Sequence, residues 1–174
     1  MIRALFPGTF DPVHMGHIDI AERAAKLFSK LTVAVYDKPL KSLLLSPEER
    51  LYLTRESLKH IENIEVTGYS GLTVEYARKI NAQVIVRGLR VFSDFEHEFR
   101  MTLANHHLAP DIEVVAFITS DRYTFLSSTT VREIASLGGN IEGMVPKIVQ
   151  EVLRKRFFEL GENQTIVPLN YLRD

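Results

Sequence analysis

Two stretches of this chain hold side chains able to do chemistry on an anion. The first is Pro7-Gly8-Thr9-Phe10-Asp11-Pro12-Val13-His14-Met15-Gly16-His17. Its prolines and glycines permit a tight, exposed crossing between secondary-structure elements. A helix starting near Gly16 turns its unpaired N–H groups and the positive end of its dipole back at this loop, where a phosphate can sit. His14 and His17 are three residues apart, so both rings can face the same anion. The second stretch is the hydroxyl cluster Ser127-Ser128-Thr129-Thr130. It reads as a helix start, with Thr130 and Glu133 at capping-box spacing. Beyond capping, its N–H groups and hydroxyls can grip phosphate oxygens in the same way.

Between the two stretches lie Lys38, Lys41, Arg87 and Arg90. As structural residues, the lysines would be solvated and the arginines would form ion pairs with Asp94 or Glu96. Glu98 would form a salt bridge beside an apolar stripe of Phe95 and Phe99. As functional residues, the cations would hold a polyanion through charge-assisted hydrogen bonds, each contributing about 1.5–3 kcal/mol. There is no carboxylate pair with metal spacing and no serine in a nucleophile-elbow setting. Such a set suits phosphate transfer, where protein groups mostly position reactants and stabilise charge, better than acyl transfer.

These residues need a frame to bring them together. Ile2–Phe6 reads as a short buried strand stopped by Pro7-Gly8, and Ile18–Phe28 as a helix that packs Ile20, Ala24, Leu27 and Phe28. Further strands are expected at 31–36, 64–67, 83–86 and 112–118. Helices are expected at 46–60, opened by Ser46-Pro47-Glu48-Glu49, at 74–80 and at 94–106. A helix from Ser127 ends at Gly138-Gly139, and a last amphipathic helix carries Val145, Ile148, Val149, Val152 and Leu153. Five strands alternating with helices predict an α/β, Rossmann-like, doubly wound parallel sheet with helices on both faces and a C-terminal helix. Right-handed crossovers then gather the strand-to-helix loops on one carboxyl edge. Residues 1–160 form one domain in this reading, and 161–174 a tail.

Composition narrows the partners. The chain has 174 residues, 21 Lys plus Arg against 22 Asp plus Glu, and no cysteine. A formal charge of −1 argues against broad nucleic-acid binding. The missing cysteines exclude disulfides and Cys-based zinc sites. No apolar run approaches the roughly 18 residues of a membrane span, and no charged segment followed by an apolar leader opens the chain. The expectation is a soluble cytoplasmic protein.

The first stretch resembles the GxFDPxHxGH signature of the nucleotidyltransferase superfamily, and Leu126 to Arg132 resembles its second, Ser/Thr-rich signature. Arg87-Gly88-Leu89-Arg90 with Asp94-Phe95-Glu96-His97-Glu98 is similar to the RGLR…DFEYE block of bacterial phosphopantetheine adenylyltransferases. The likeness extends through Ser46–Arg50 and Asn105–Pro110 to about Phe158. It implies transfer of AMP from ATP to 4′-phosphopantetheine, with Mg2+ helping to neutralise the triphosphate, by a homohexamer. By the same resemblance His17 steadies charge on the α-phosphate, and Thr9 bridges nucleotide and acceptor. Lys41 and Arg87 would hold the acceptor phosphate and Thr73 the pantetheine. Phe10, Gly88, Leu89, Arg90, Glu98, Tyr123, Thr124, Phe125, Leu126, Ser127, Ser128 and Thr129 would bind ATP. His14 stands where this family usually has Thr, and Thr129-Thr130 also drifts from its pattern. Both changes leave open a nicotinate or nicotinamide mononucleotide adenylyltransferase. A catalytically silent nucleotide-binding module is the reading from another class, opposed by the intact His17, Lys41, Arg87 and Arg90.

Overall fold

The computed structural model describes residues 1–38 and 43–162. In chain order the elements are β1 (Arg3–Gly8), α1 (Met15–Ala25), β2 (Lys30–Tyr36), α2 (Pro47–Leu58), β3 (Ile64–Tyr69) and α3 (Thr73–Lys79). They continue with β4 (Val84–Leu89), α4 (Phe92–Leu108), β5 (Glu113–Ile118), α5 (Ser128–Ser136) and α6 (Lys147–Glu162). The five strands form one parallel sheet in the order β3-β2-β1-β4-β5. That is the expected doubly wound α/β sheet, and its strand order reverses between β1 and β4.

The alternation of side chains along each strand fills two cores. Ala4, Phe6, Leu31, Val33, Val35, Val84 and Val86 face one side, packed with Ile20, Ala24 and Leu53 of α1 and α2 and with Val131, Val149 and Leu153 of α5 and α6. Leu5, Ala34 and Ile85 face the other, against Val74 and Ala77 of α3 and the buried Ala109 and Ile112. The second core is the smaller.

Several boundaries differ from the sequence expectation, and the differences shape the site. β1 does not stop at Pro7 but continues through Gly8, in register with Ala34 and Val35 of β2. On its other side β1 pairs with β4 only at Ala4 and Leu5. Pro7 directs its carbonyl to this β4 side, where Arg87 reaches it at 3.3 Å. The N–H that proline lacks would face the same way, past the end of the ladder, so no sheet hydrogen bond is forfeited. β4 likewise extends to Leu89, held by β5 alone through Arg87↔Ala116, Gly88↔Phe117 and Leu89↔Ile118. Arg87 and Gly88 are therefore strand residues rather than loop residues. α1 ends at Ala25, which leaves Leu27 outside the helix and 70% exposed. The apolar stripe of α4 faces outward, with Phe95, Phe99 and Leu103 about half exposed. α6 runs on through Gly161 to Glu162, and residues 163–174 lie outside those described.

Candidate active site

Where β1 and β4 part, a cavity of about 540 Å³ opens at the carboxyl edge. This is the switch point at which open parallel sheets bind ligands, and the volume suits a small molecule. Thr9, Phe10, His17, Arg87, Gly88, Arg90, Glu98, Ser127 and Ser128 line it together. Leu89, Tyr123, Thr124, Phe125, Leu126 and Thr129 are not in the lining. Leu126 is fully buried behind it and gives its carbonyl to Arg90 Nη1 at 2.8 Å. Phe125 is exposed, and Thr129 Oγ1 accepts from Arg132 Nη2 at 3.3 Å. Thr73 opens α3, and its hydroxyl lies 3.0 Å from that of Tyr69 at the end of β3. β3 is two strands from β1, roughly 10 Å at the usual strand spacing, which explains why this cavity does not include Thr73. Lys41 lies outside the described residues.

The loop after β1 is packed around its aromatic rings. Phe10 adopts a left-handed backbone, φ +53°, and folds its ring over Gly8, where a Cβ would come within 2.8 Å of it. The His14 ring is buried and lies against Gly16, where a Cβ would come within 3.1 Å. His14 and His17 stack, with ring centroids 3.6 Å apart. They do not simply face one anion side by side, because a ring that is 4% exposed with an unpartnered Nδ1 serves as a platform for the other.

His17 is differently placed. Its Nδ1 accepts the His14 backbone N–H at 3.2 Å, so the neutral ring carries its proton on Nε2. Burial, with Arg90 and then Arg87 nearby, lowers the His17 pKa to about 3. The ring is therefore a neutral donor at pH 7. At the start of α1, Met144 O takes the Met15 N–H and His14 O takes the His17 N–H. The Gly16 N–H meets no acceptor among the described residues, and Gly16 lines the cavity.

The low His17 pKa has a consequence for stability. In the unfolded chain an ordinary histidine titrates near 6.5, so below that pH the unfolded state binds a proton that the folded state refuses. Stability from this group is complete above about pH 6.5 and is lost as pH falls toward about 3. Burial and the charges of His17 and Arg90 push His14 in the same direction. We expect urea unfolding midpoints to fall between pH 7 and pH 5, and His17→Gln to flatten that slope.

Arg87 and Arg90 are already paired. Arg87 meets Glu98 in a bidentate bridge, with Nε to Oε2 at 2.6 Å and Nη2 to Oε1 at 2.5 Å. Arg90 meets Asp94 through Nε at 3.0 Å and Nη2 at 3.1 Å. Glu96 instead pairs with Arg100. The guanidiniums are thus fixed in direction before any ligand arrives, as planar forks on carboxylates allow.

The two signatures are joined in space. Ser127, not Thr130, caps α5, its Oγ accepting the Thr130 N–H at 2.9 Å. Thr130 is instead the third residue of the helix. Ser128 Oγ donates to Pro12 O at 2.9 Å. Arg132 is buried, donates to Asp11 O, and approaches Asp11 Oδ2 at 3.5 Å. The Asp11 carboxylate also accepts the N–H groups of Leu44 and Leu45, each at 2.9 Å.

Residues 5–134 match the cytidylyltransferase-like family. The phosphopantetheine adenylyltransferase of Roseiflexus sp. (strain RS-1) is 52% identical over 157 residues, covering 90% of this chain and 98% of that one. That of Carboxydothermus hydrogenoformans is 49% identical over 158 residues, covering 91% and 98%. The chain belongs to the phosphopantetheine adenylyltransferase family. A solved Vibrio parahaemolyticus protein, assigned provisionally to the nicotinate-nucleotide adenylyltransferases, superposes with a TM-score of 0.67 at 20% identity, covering 88% of this chain and 99% of that one. Identity that low shows a shared fold.

For a phosphopantetheine adenylyltransferase, sequence reasoning missed the contact of Asp11 with Arg132, and the places of Thr119 and His97 in the cavity wall. Asp11 and Arg132 both sit inside quoted motifs, so their presence was visible while their mutual contact was not.

Proposed function

We propose that this chain transfers AMP from ATP to 4′-phosphopantetheine, giving dephospho-coenzyme A and pyrophosphate. The observation that carries the reading is a neutral His17, its proton on Nε2, that lines the β1–β4 crevice together with two oriented arginines. Relatives about half identical along nearly their whole length support the choice of acceptor. An oxygen of the acceptor phosphate attacks the α-phosphorus in line, and the bond to the bridging oxygen of pyrophosphate breaks. As charge accumulates on the α-phosphate, Nε2 of His17 donates to it. The acceptor is already an anion, so no general base is required. Arg87, with Lys41, holds the acceptor phosphate, Thr9 stands between the reactants, and Thr73 contacts the pantetheine. Phe10, Gly88 to Arg90, Glu98 and residues 123–129 take the nucleotide. In this reading residues 1–160 are the nucleotidyltransferase unit.

Among the described residues no group of three or more His, Asp or Glu converges as a metal cage. Asp94 and Glu98 are committed to arginines. These residues do not fit a protein-held ion, so we treat Mg2+ as part of the substrate, arriving on the phosphates of ATP.

No helix of the described residues is long and apolar enough to cross a membrane, and the proposed place of work is the cytoplasm. We also propose a homohexamer, supported by the outward apolar stripe of α4, where Phe95, Phe99 and Leu103 are 49%, 52% and 56% exposed. Phe99→Asp is expected to give a smaller particle in sedimentation velocity while the isolated subunit stays folded. An unchanged sedimentation coefficient would remove this face from the interface.

The reaction is tested by incubating the protein with ATP, Mg2+ and one acceptor at a time while measuring pyrophosphate. Release with 4′-phosphopantetheine is expected. Release only with nicotinate mononucleotide would reassign the acceptor, and ATP binding without turnover on any acceptor would make this a silent nucleotide-binding module.

A further inference from the structure

Arg50, in the first turn of α2, is 0% exposed, yet no carboxylate pairs with it among the described residues. Its guanidinium donates to main-chain carbonyls instead. Nη1 reaches Thr9 O at 2.8 Å and Tyr36 O at 2.7 Å, and Nη2 reaches Asp37 O at 3.3 Å. Nε has no partner. A buried cation with an orphaned donor stabilises a fold poorly, since an apolar side chain of that size would avoid both desolvation penalties.

The contact with Thr9 has a directional consequence. A trans peptide points its C=O and the next N–H in opposite directions. With the Thr9 carbonyl drawn back onto Arg50, the Phe10 N–H turns the other way, toward the cavity that Thr9 and Phe10 both line. No acceptor among the described residues takes that N–H. Phe10 has φ +53°, a conformation that L residues resist, so the peptide needs an external hold. The same Nη1 grips Tyr36 at the end of β2 and thereby ties this peptide to the sheet.

We infer that Arg50 is a positioning residue whose buried fork fixes the Thr9–Phe10 peptide on the end of β2, so that the Phe10 N–H faces the bound phosphates. The inference rests on reading the cavity as a phosphate site. A misplacement of about 1 Å in such a donor can lower turnover by roughly 10²-fold.

Arg50→Met keeps the bulk of the stem and removes the fork. It is expected to weaken calorimetrically measured binding of inorganic tripolyphosphate at least about 10-fold and to lower kcat by roughly 10²-fold, with a near-UV circular dichroism spectrum like that of the wild type. Arg50→Lys keeps the charge without the planar fork and is expected to fall between the two. A folded Arg50→Met protein that binds tripolyphosphate as the wild type does would overturn the inference. If that variant does not fold, Arg50→Lys decides, and wild-type affinity and kcat in it would overturn the inference equally. Wild-type protein that binds tripolyphosphate but adenylylates no acceptor would defeat the proposed reaction alone, leaving Arg50 to be judged on the affinities. Wild-type protein that does not bind tripolyphosphate would defeat both.

Discussion

His17→Ala is expected to lower kcat by at least about 10²-fold while KM for ATP stays within a few-fold. The size follows from removing one preorganised donor at a place where charge develops. The split between kcat and KM follows from the geometry. Nδ1 is held by the His14 backbone N–H, and the ring lies between His14 and Phe10, with centroids 3.6 and 4.9 Å away. A ring so constrained can favour one position of the α-phosphate, that of the transition state. His17→Gln, which can still offer an N–H, should lose less than His17→Ala. Steady-state kinetics on both variants checks this. A raised KM with unchanged kcat would make His17 a ground-state ligand and end its assignment as the catalytic residue.

Asp11→Ala should show the second large effect, on stability: a loss of about 3–5 kcal/mol, in the range measured when one partner of a buried ion pair is removed. Asp11 is 2% exposed and Arg132 3%. Deleting the carboxylate takes a counter-charge from a buried guanidinium, and it strips the acceptor from the Leu44 and Leu45 N–H groups. Asp11→Asn keeps one acceptor oxygen and should lose less. If the two groups act as a pair, the double variant Asp11→Asn/Arg132→Met will be less destabilised than the sum of its single variants. Urea titration of the four proteins measures this, and strict additivity would show that the side chains act independently.

Much of the frame was legible because burial imposes a period on sequence. Ile2–Phe6 and Leu31–Tyr36 are short apolar runs that only buried parallel strands require, and the Ser46-Pro47-Glu48-Glu49 start appears with its cap intact, the Glu49 N–H on Ser46 Oγ at 3.2 Å. The misjudged boundaries share one cause. Pro7, Gly8, Arg87 and Gly88 look like strand breakers or loop residues. They remain in strands because each strand is paired on one side only where β1 and β4 diverge. Local composition cannot report that divergence. The outward stripe of α4 is similar, since periodicity identifies an apolar face without naming what the face meets.

By itself, the sequence determined the fold class and the resemblance that the relatives confirm, and it pointed to anion binding as the proposed chemistry of the two signature stretches. Those features are written in residue types at short spacings, where helix and strand periods hold. The ion pair of an arginine with Asp94 was within reach of the sequence. Tertiary structure decided the other meetings: it gave Arg87 to Glu98, and it stacked His14 beneath His17. It also joined Asp11 to Arg132 across 121 residues and set Arg50 behind Thr9. These contacts depend on strand order and on the angle at which helices close over the sheet, and no local pattern encodes either.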